Sequence, residues 1–142
     1  LASSEIITLL AKVIAPYPIS APVAEIASQS LTGKPLKQMN ARVLETNTLK
    51  AQLINWLKEQ SWCEQVFESD ANFLLFRTPL KSLIFEGLKA QGILVRDQSK
   101  QIQLANCLRI SIGNAQEIAS VKQSISQIIN TSSQSAKTAQ EV

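Results

Sequence analysis

A chain of 142 residues, 45% of them apolar and 18% charged, has the size of one ordinary folded domain and enough aliphatic content to build a core. Lys and Arg outnumber Asp and Glu by 14 to 11, a surplus too slight and too scattered to argue for a nucleic-acid partner. Histidine is absent altogether, which excludes Ser-His-Asp and Cys-His nucleophile pairs, histidine general bases and histidine metal sites.

The chain begins at Leu1, without a methionine and directly in an apolar helical pattern, so it is expected to be a fragment of a longer protein. Ile6, Ile7, Leu9, Leu10 and Val13 recur on a helical period over residues 3–13, and Pro16 and Pro18 stop that helix in the turn IAPYPIS. Ser20 is placed to cap a second helix, with Pro22 tolerated in its first turn and Val23, Ile26, Ala27 and Leu31 on one face. Thr32, Gly33 and Pro35 end it. From Leu36 to about Gln60 the positions Leu36, Met39, Val43, Leu49, Leu53, Ile54 and Leu57 predict a long amphipathic helix packed across its own sheet. Trp56 and Trp62, near its end, read as core or interface anchors.

A short segment from Glu64 to Phe67, a turn at Ser69 and Asp70 and a strand from Asn72 to Arg77 predict a neighbouring strand pair. Leu80, Leu83, Ile84 and Leu88 mark a helix closed by Gly92, a suitable residue for a left-handed helix end. Strands at Ile93–Arg96 and Leu108–Ile112 follow, joined by a polar loop. Asn114 and Glu117 then stand at capping-box spacing before a helix striped by Ile118, Val121, Ile125 and Ile128. The closing TSSQSAKTAQEV is polar and small, and is expected to fray. Three helices, two strands, a helix, two strands and a helix suit an α/β domain, in the α+β sense of a small sheet of about four strands covered by helices.

Chemistry is harder to find. Gly33, Gly87, Gly92 and Gly113 form neither a GxGxxG nor a P-loop, and no carboxylate pair stands out. Cys63 and Cys107 have no CxxC partner, so they are expected to be free thiols in a reducing compartment. No apolar run approaches the roughly 18 residues of a membrane span and no signal peptide opens the chain, so a cytoplasmic location without membrane contact is expected. Two arginines in strands remain. In CLRISIG, alternation puts Leu108, Ile110 and Ile112 on one face and Arg109 with Ser111 on the other. In GILVRD, Leu94 and Arg96 share a face, with Arg96 at the carboxyl end of its strand, where α/β proteins often meet ligands. A planar guanidinium makes two parallel charge-assisted bonds to carboxylate or phosphate, although a solvated or salt-bridged arginine is the commoner outcome on a polar strand face. Arg77, at the end of ANFLLFR, is the weaker candidate. Periodicity alone therefore gives a domain with a candidate anion site.

Four segments in order, KVIAPYPISAPVAEIA at 12–27, CEQVFESDANFLLFR at 63–77, GILVRDQSKQ at 92–101 and NCLRISIGNAQE at 106–117, resemble the carboxyl-terminal part of the histidinol-phosphate aminotransferases, of the fold type I pyridoxal-phosphate superfamily. The resemblance implies that residues 1–34 end a large cofactor domain and line an interdomain and dimer region. It implies a small domain over 35–132 and a disordered tail over 133–142. It implies a homodimer that transfers an amino group between L-histidinol phosphate and 2-oxoglutarate in histidine biosynthesis. Arg109 matches the family arginine that binds the substrate α-carboxylate, and Arg96 the one at the substrate phosphate. Tyr17 would lie near the cofactor or the dimer mate, and Asn72 would hold the strand pair by local hydrogen bonds. The Schiff-base lysine and the other groups that hold pyridoxal phosphate would lie upstream, so no catalytic residue and no metal ligand are expected here, and the fragment alone should be inactive. Asn114, Ala115 and Gln116 depart from the family's usual Thr-Pro-Glu but keep the capping chemistry. Two rivals are a related pyridoxal-phosphate enzyme, such as threonine-phosphate decarboxylase, and a noncatalytic α/β module that binds an anion or a protein partner.

Overall fold

Alternation along FLLFR and CLRIS becomes two central strands in a computed structural model that describes residues 2–14 and 19–138. Phe73–Arg77 (β2) and Cys107–Ser111 (β4) pair antiparallel, with Leu74 opposite Ile110 and Phe76 opposite Leu108. Gln65–Val66 (β1) adds to the outside of β2, and Arg96–Asp97 (β3) to the outside of β4, giving one antiparallel sheet in the order β1-β2-β4-β3. Five helices complete the chain: Ser4–Val13 (α1), Ala21–Ser30 (α2), Gly33–Lys58 (α3), Lys81–Ala90 (α4) and Ala115–Thr138 (α5). The expected element order and the small helix-covered sheet are therefore observed.

Residues 1–41 and 42–142 form two compact units. In the first, α1 and α2 bury no residue, and Ile6, Ile7, Leu9, Val13, Val23, Ile26 and Leu31 are all exposed. Ser20 stands at the N-cap of α2, as expected, but its side chain makes no capping bond. Pro22, the second helical residue, has no N–H, so one of the two donors that a cap serves is missing. The turn IAPYPIS lies largely at 15–18, outside the described residues. Helix α3 starts earlier than expected, at Gly33, with Pro35 inside its first turn, where a missing N–H costs nothing.

The second unit holds the core. Leu49, Leu53 and Leu57 of α3, Ile84 and Leu88 of α4, and Ile118, Val121 and Ile125 of α5 cluster with Leu74, Phe76, Leu108 and Ile110 from one face of the sheet. Trp56 and Trp62 pack against this cluster, as the aromatic pattern suggested, edge to face at 5.9 Å, and Trp62 meets Phe76 at 6.3 Å. Gly87 lets α4 and α5 approach: a Cβ there would fall 2.7 Å from the Ile128 side chain.

Local signals explain the helix ends. Gly92 takes φ 76°, its N–H donates to Lys89 O and that of Ile93 to Leu88 O at 2.9 Å, while Ile93 packs on the cluster that holds Leu88. This double bond with its apolar contact is the Schellman closure that a glycine at this position permits. At the start of α5, Asn114 Oδ1 accepts from Glu117 N at 2.9 Å and Glu117 Oε2 accepts from Asn114 N at 2.8 Å, the reciprocal capping box. Helix α5 runs on to Thr138, into the stretch expected to fray.

Candidate functional site

With Leu74, Phe76, Leu108 and Ile110 committed to the helices, the pleat sends Phe73, Leu75, Arg77, Cys107, Arg109 and Ser111 to the opposite, outer face. Arg109 is thus where alternation placed it. Arg96 is not at the carboxyl end of a strand over 93–96. It opens the two-residue strand β3, after a Schellman closure that turns the N–H groups of Gly92 and Ile93 back onto α4. The sheet is antiparallel, so the carboxyl-end rule for parallel sheets has no bearing; register alone sets Arg96 directly opposite Arg109. Leu94, two residues before Arg96, is 86% exposed.

Two like charges directly opposed on adjacent strands repel. Neither guanidinium has a carboxylate within ion-pair distance among the described residues, where the ion pairs are Lys81 with Asp97 at 2.9 Å and Lys89 with Glu86 at 4.0 Å. The Arg109 guanidinium carbon lies 4.7 Å from the centre of the Phe73 ring, and its Nε is shut off from solvent with no hydrogen-bond acceptor. Arg96 is exposed. The pair therefore presents positive charge and unused planar donors on one open face, an arrangement suited to a carboxylate or a phosphate.

Arg77, the weaker candidate, is engaged elsewhere. Its Nε donates to Ala105 O at 3.2 Å, its Nη2 to Gln103 O at 2.7 Å and its Nη1 to Gln65 Oε1 at 3.0 Å, over the Phe67 ring. It pins the 98–106 loop, in which Gln103 and Asn106 take left-handed φ values of 64° and 59°. Asn72 bridges the strand pair, but through its backbone: its carbonyl accepts from Ile112 N at 2.8 Å, and its side chain is exposed. Tyr17 lies outside the described residues.

Two contributors were not singled out from sequence. Phe73, whose ring lies under Arg109, is one. The other is Lys50, a buried residue of α3 whose Nζ donates to Ser69 O at 2.7 Å and Ala71 O at 3.0 Å and so fixes the turn that delivers Phe73. Ser69 Oγ completes that turn by donating to Phe73 O at 2.6 Å. Lys50 had a signal: it stands four residues before Ile54 and seven before Leu57, on the apolar stripe itself.

A cleft of about 630 Å³ lies between residues 92–95, the end of β4 and the start of α5, lined by Ile93, Ile110, Ile112, Ile118 and Val121 among others. Neither arginine borders it. Cys63 and Cys107 are free, as expected, and burial pushes the Cys63 thiol pKa up. No cluster of potential metal ligands occurs among the described residues, and no helix there is long and apolar enough to cross a membrane.

Residues 1–125 match the family model of the class I and II aminotransferases. The histidinol-phosphate aminotransferase of Colwellia psychrerythraea strain 34H is 58% identical over 126 residues, covering 87% of this chain and 34% of that protein. That of Yersinia enterocolitica is 54% identical over 117 residues, covering 82% and 31%. The chain thus spans about a third of the length of these relatives. Among solved structures, the histidinol-phosphate aminotransferase of Clostridium acetobutylicum superposes with a TM-score of 0.72 at 19% identity, over 89% of this chain and 38% of that one. A decarboxylase from Sulfurospirillum multivorans does so with a TM-score of 0.71 at 20% identity, over 90% and 34%; at these identities both show a shared fold. Sequence pattern, sheet order and these relatives agree, and the chain belongs to the class I and II aminotransferase family.

Proposed function

We propose that this chain is the carboxyl-terminal part of a histidinol-phosphate aminotransferase, a homodimeric cytoplasmic enzyme that moves an amino group between L-histidinol phosphate and 2-oxoglutarate. The observation that carries the reading is the cross-strand pair Arg96 and Arg109, two like charges with no carboxylate within ion-pair distance among the described residues. Both substrates are anionic, and both need orientation. Arg109 grips the α-carboxylate of glutamate, and Arg96 receives the phosphate of histidinol phosphate or the distal carboxylate of glutamate. Because the two arginines are direct neighbours, a phosphate can take donors from both.

Pyridoxal phosphate, when bound, supplies the electron sink for the amino transfer. The residues here fit the substrate side of such a site, with unpaired guanidiniums on an open face, and we place the cofactor's attachment lysine outside this chain. Residues 1–34 belong on this reading to the large domain and residues 35–132 to the small one. The relatives at 58% and 54% identity carry the histidinol-phosphate aminotransferase name, and nothing favours a threonine-phosphate decarboxylase or a noncatalytic module.

Half-reaction kinetics in the complete enzyme test the reading. Arg109→Lys keeps the charge but loses the planar fork, so the glutamate half-reaction should fall by about 2–4 kcal/mol in kcat/KM, more than the histidinol-phosphate half. Arg96→Lys should slow both halves. A glutamate half-reaction within about twofold of the parent in Arg109→Lys would refute the carboxylate assignment. The chain alone, incubated with pyridoxal phosphate and reduced with borohydride, should carry no single stoichiometric lysine adduct by mass.

A further inference from the structure

Arg109 is held by something other than a hydrogen bond. In the β2–β4 register Leu75 is opposite Arg109 and Phe73 is opposite Ser111, so Phe73 and Arg109 are diagonal neighbours on the outer face. Diagonal pairs stand within reach of long and aromatic side chains. The Arg109 side chain uses that reach, with its guanidinium carbon 4.7 Å from the centre of the Phe73 ring. The face of an aromatic ring carries negative charge and attracts a cation placed over it. Arg109 Nε is closed to solvent and bonded to no acceptor, whereas Nη1 and Nη2 do not share that burial. An anion arriving on this face is therefore offered the Nη pair and not Nε. The backbone that carries the ring is tied down: Ser69 Oγ donates to the Phe73 carbonyl, and the buried Lys50 holds the turn before it.

We propose that Phe73 is a positioning residue for substrate carboxylate recognition: its ring face fixes the plane of the Arg109 guanidinium so that the two terminal nitrogens present a ready fork. The proposal rests on the reading of Arg109 as the group that grips the glutamate carboxylate. Without the ring, Arg109 keeps its charge but samples several rotamers beside a like-charged Arg96, and each productive encounter must first reorder it. Misorientation of the substrate then lowers the rate of the chemical step as well as affinity.

The test is a double-mutant cycle on the glutamate half-reaction of the complete enzyme, read by stopped flow. Phe73→Leu should lower kcat/KM about five- to tenfold, and Phe73→Tyr, which keeps the ring face, should restore most of that loss. In an Arg109→Lys background, Phe73→Leu should cost little more. A residue that only stabilises the fold would cost the same factor in both backgrounds, and that outcome would overturn the proposal. Stepwise fluorination of the Phe73 ring gives a second measurement that changes packing little. Each added fluorine weakens the negative face at nearly constant shape, so the rate should fall steadily with fluorine number, and a flat series would also overturn the proposal. If Arg109→Lys impairs the half-reaction while Phe73→Leu and the fluorinated series do not, the positioning role alone fails. If Arg109→Lys itself has no effect, the carboxylate reading fails and the positioning role with it.

Discussion

Arg77 and Arg109 stand on the same face of the same strand pair, each over a phenylalanine ring, and they serve opposite purposes. At one end of the outer face Arg77 gives its donors to Ala105 O, Gln103 O and Gln65 Oε1. At the middle of the β2–β4 ladder, opposite Leu75, Arg109 gives none, and its direct neighbour on β3 is a second arginine. The difference lies in what surrounds each side chain, since composition and periodicity treat the two alike. An arginine whose fork is already filled by carbonyls holds a loop; one whose fork is left open beside a like charge has donors free for a ligand.

Stability measurements can break this comparison most directly. Arg77→Ala should cost about 1–2 kcal/mol in urea unfolding, because the carbonyls of a loop with two left-handed residues lose their charged donor. Arg109→Ala should stay within about 0.5 kcal/mol of the parent, because relief of repulsion and of an unpaired buried Nε offsets lost contact with the ring. Equal costs for the two would erase the distinction. A smaller effect sharpens it: inorganic phosphate at about ten times its dissociation constant should raise stability by about 1.4 kcal/mol. That gain should vanish in Arg96→Ala and in Arg109→Ala and survive in Arg77→Ala, as thermal melts over a phosphate series would show.

Local physics made much of this legible. Period-2 alternation in CLRISIG is a property of neighbouring residues, and it sent Arg109 to the outer face correctly. The capping box at Asn114 and Glu117 and the helix end at Gly92 depend on spacings of three or four residues, and both were readable for the same reason. Arg96 was misplaced along its strand because β3 exists only by pairing with β4, and its position opposite Arg109 is a long-range register that no single stretch encodes. Phe73 under Arg109 is a diagonal across strands 36 positions apart, and the two carbonyls that Arg77 binds lie 26 and 28 positions away in sequence. The failed cap at Ser20 was foreseeable from Pro22, whose missing N–H removes a donor that the cap would have used.

The smallest expected effect concerns what keeps Arg96 opposite Arg109. Its neighbour Asp97 forms an ion pair with Lys81 at the start of α4 and accepts from Ser99 N at 2.8 Å, so a two-residue edge strand is tied to a helix. The Lys81 ammonium, and after it Ser99, lowers the Asp97 carboxyl pKa from the usual 3.8 to about 2. A carboxyl with a depressed folded pKa stabilises the fold above its unfolded value and loses that contribution as pH falls through the folded one. Both side chains are partly exposed, at 19% and 33%, so solvent screening reduces the benefit to about 0.5 kcal/mol at neutral pH. Asp97→Asn should therefore be less stable than the parent by about that amount at pH 7, and the gap should close between about pH 4 and pH 2. The same substitution should weaken the phosphate response, because β3 is then free to carry Arg96 out of register while Arg109 stays on its ring. A stability gap that persisted to pH 2 would mean that the tie is not electrostatic, and an undiminished phosphate response would mean that Arg96 is held by the ladder alone.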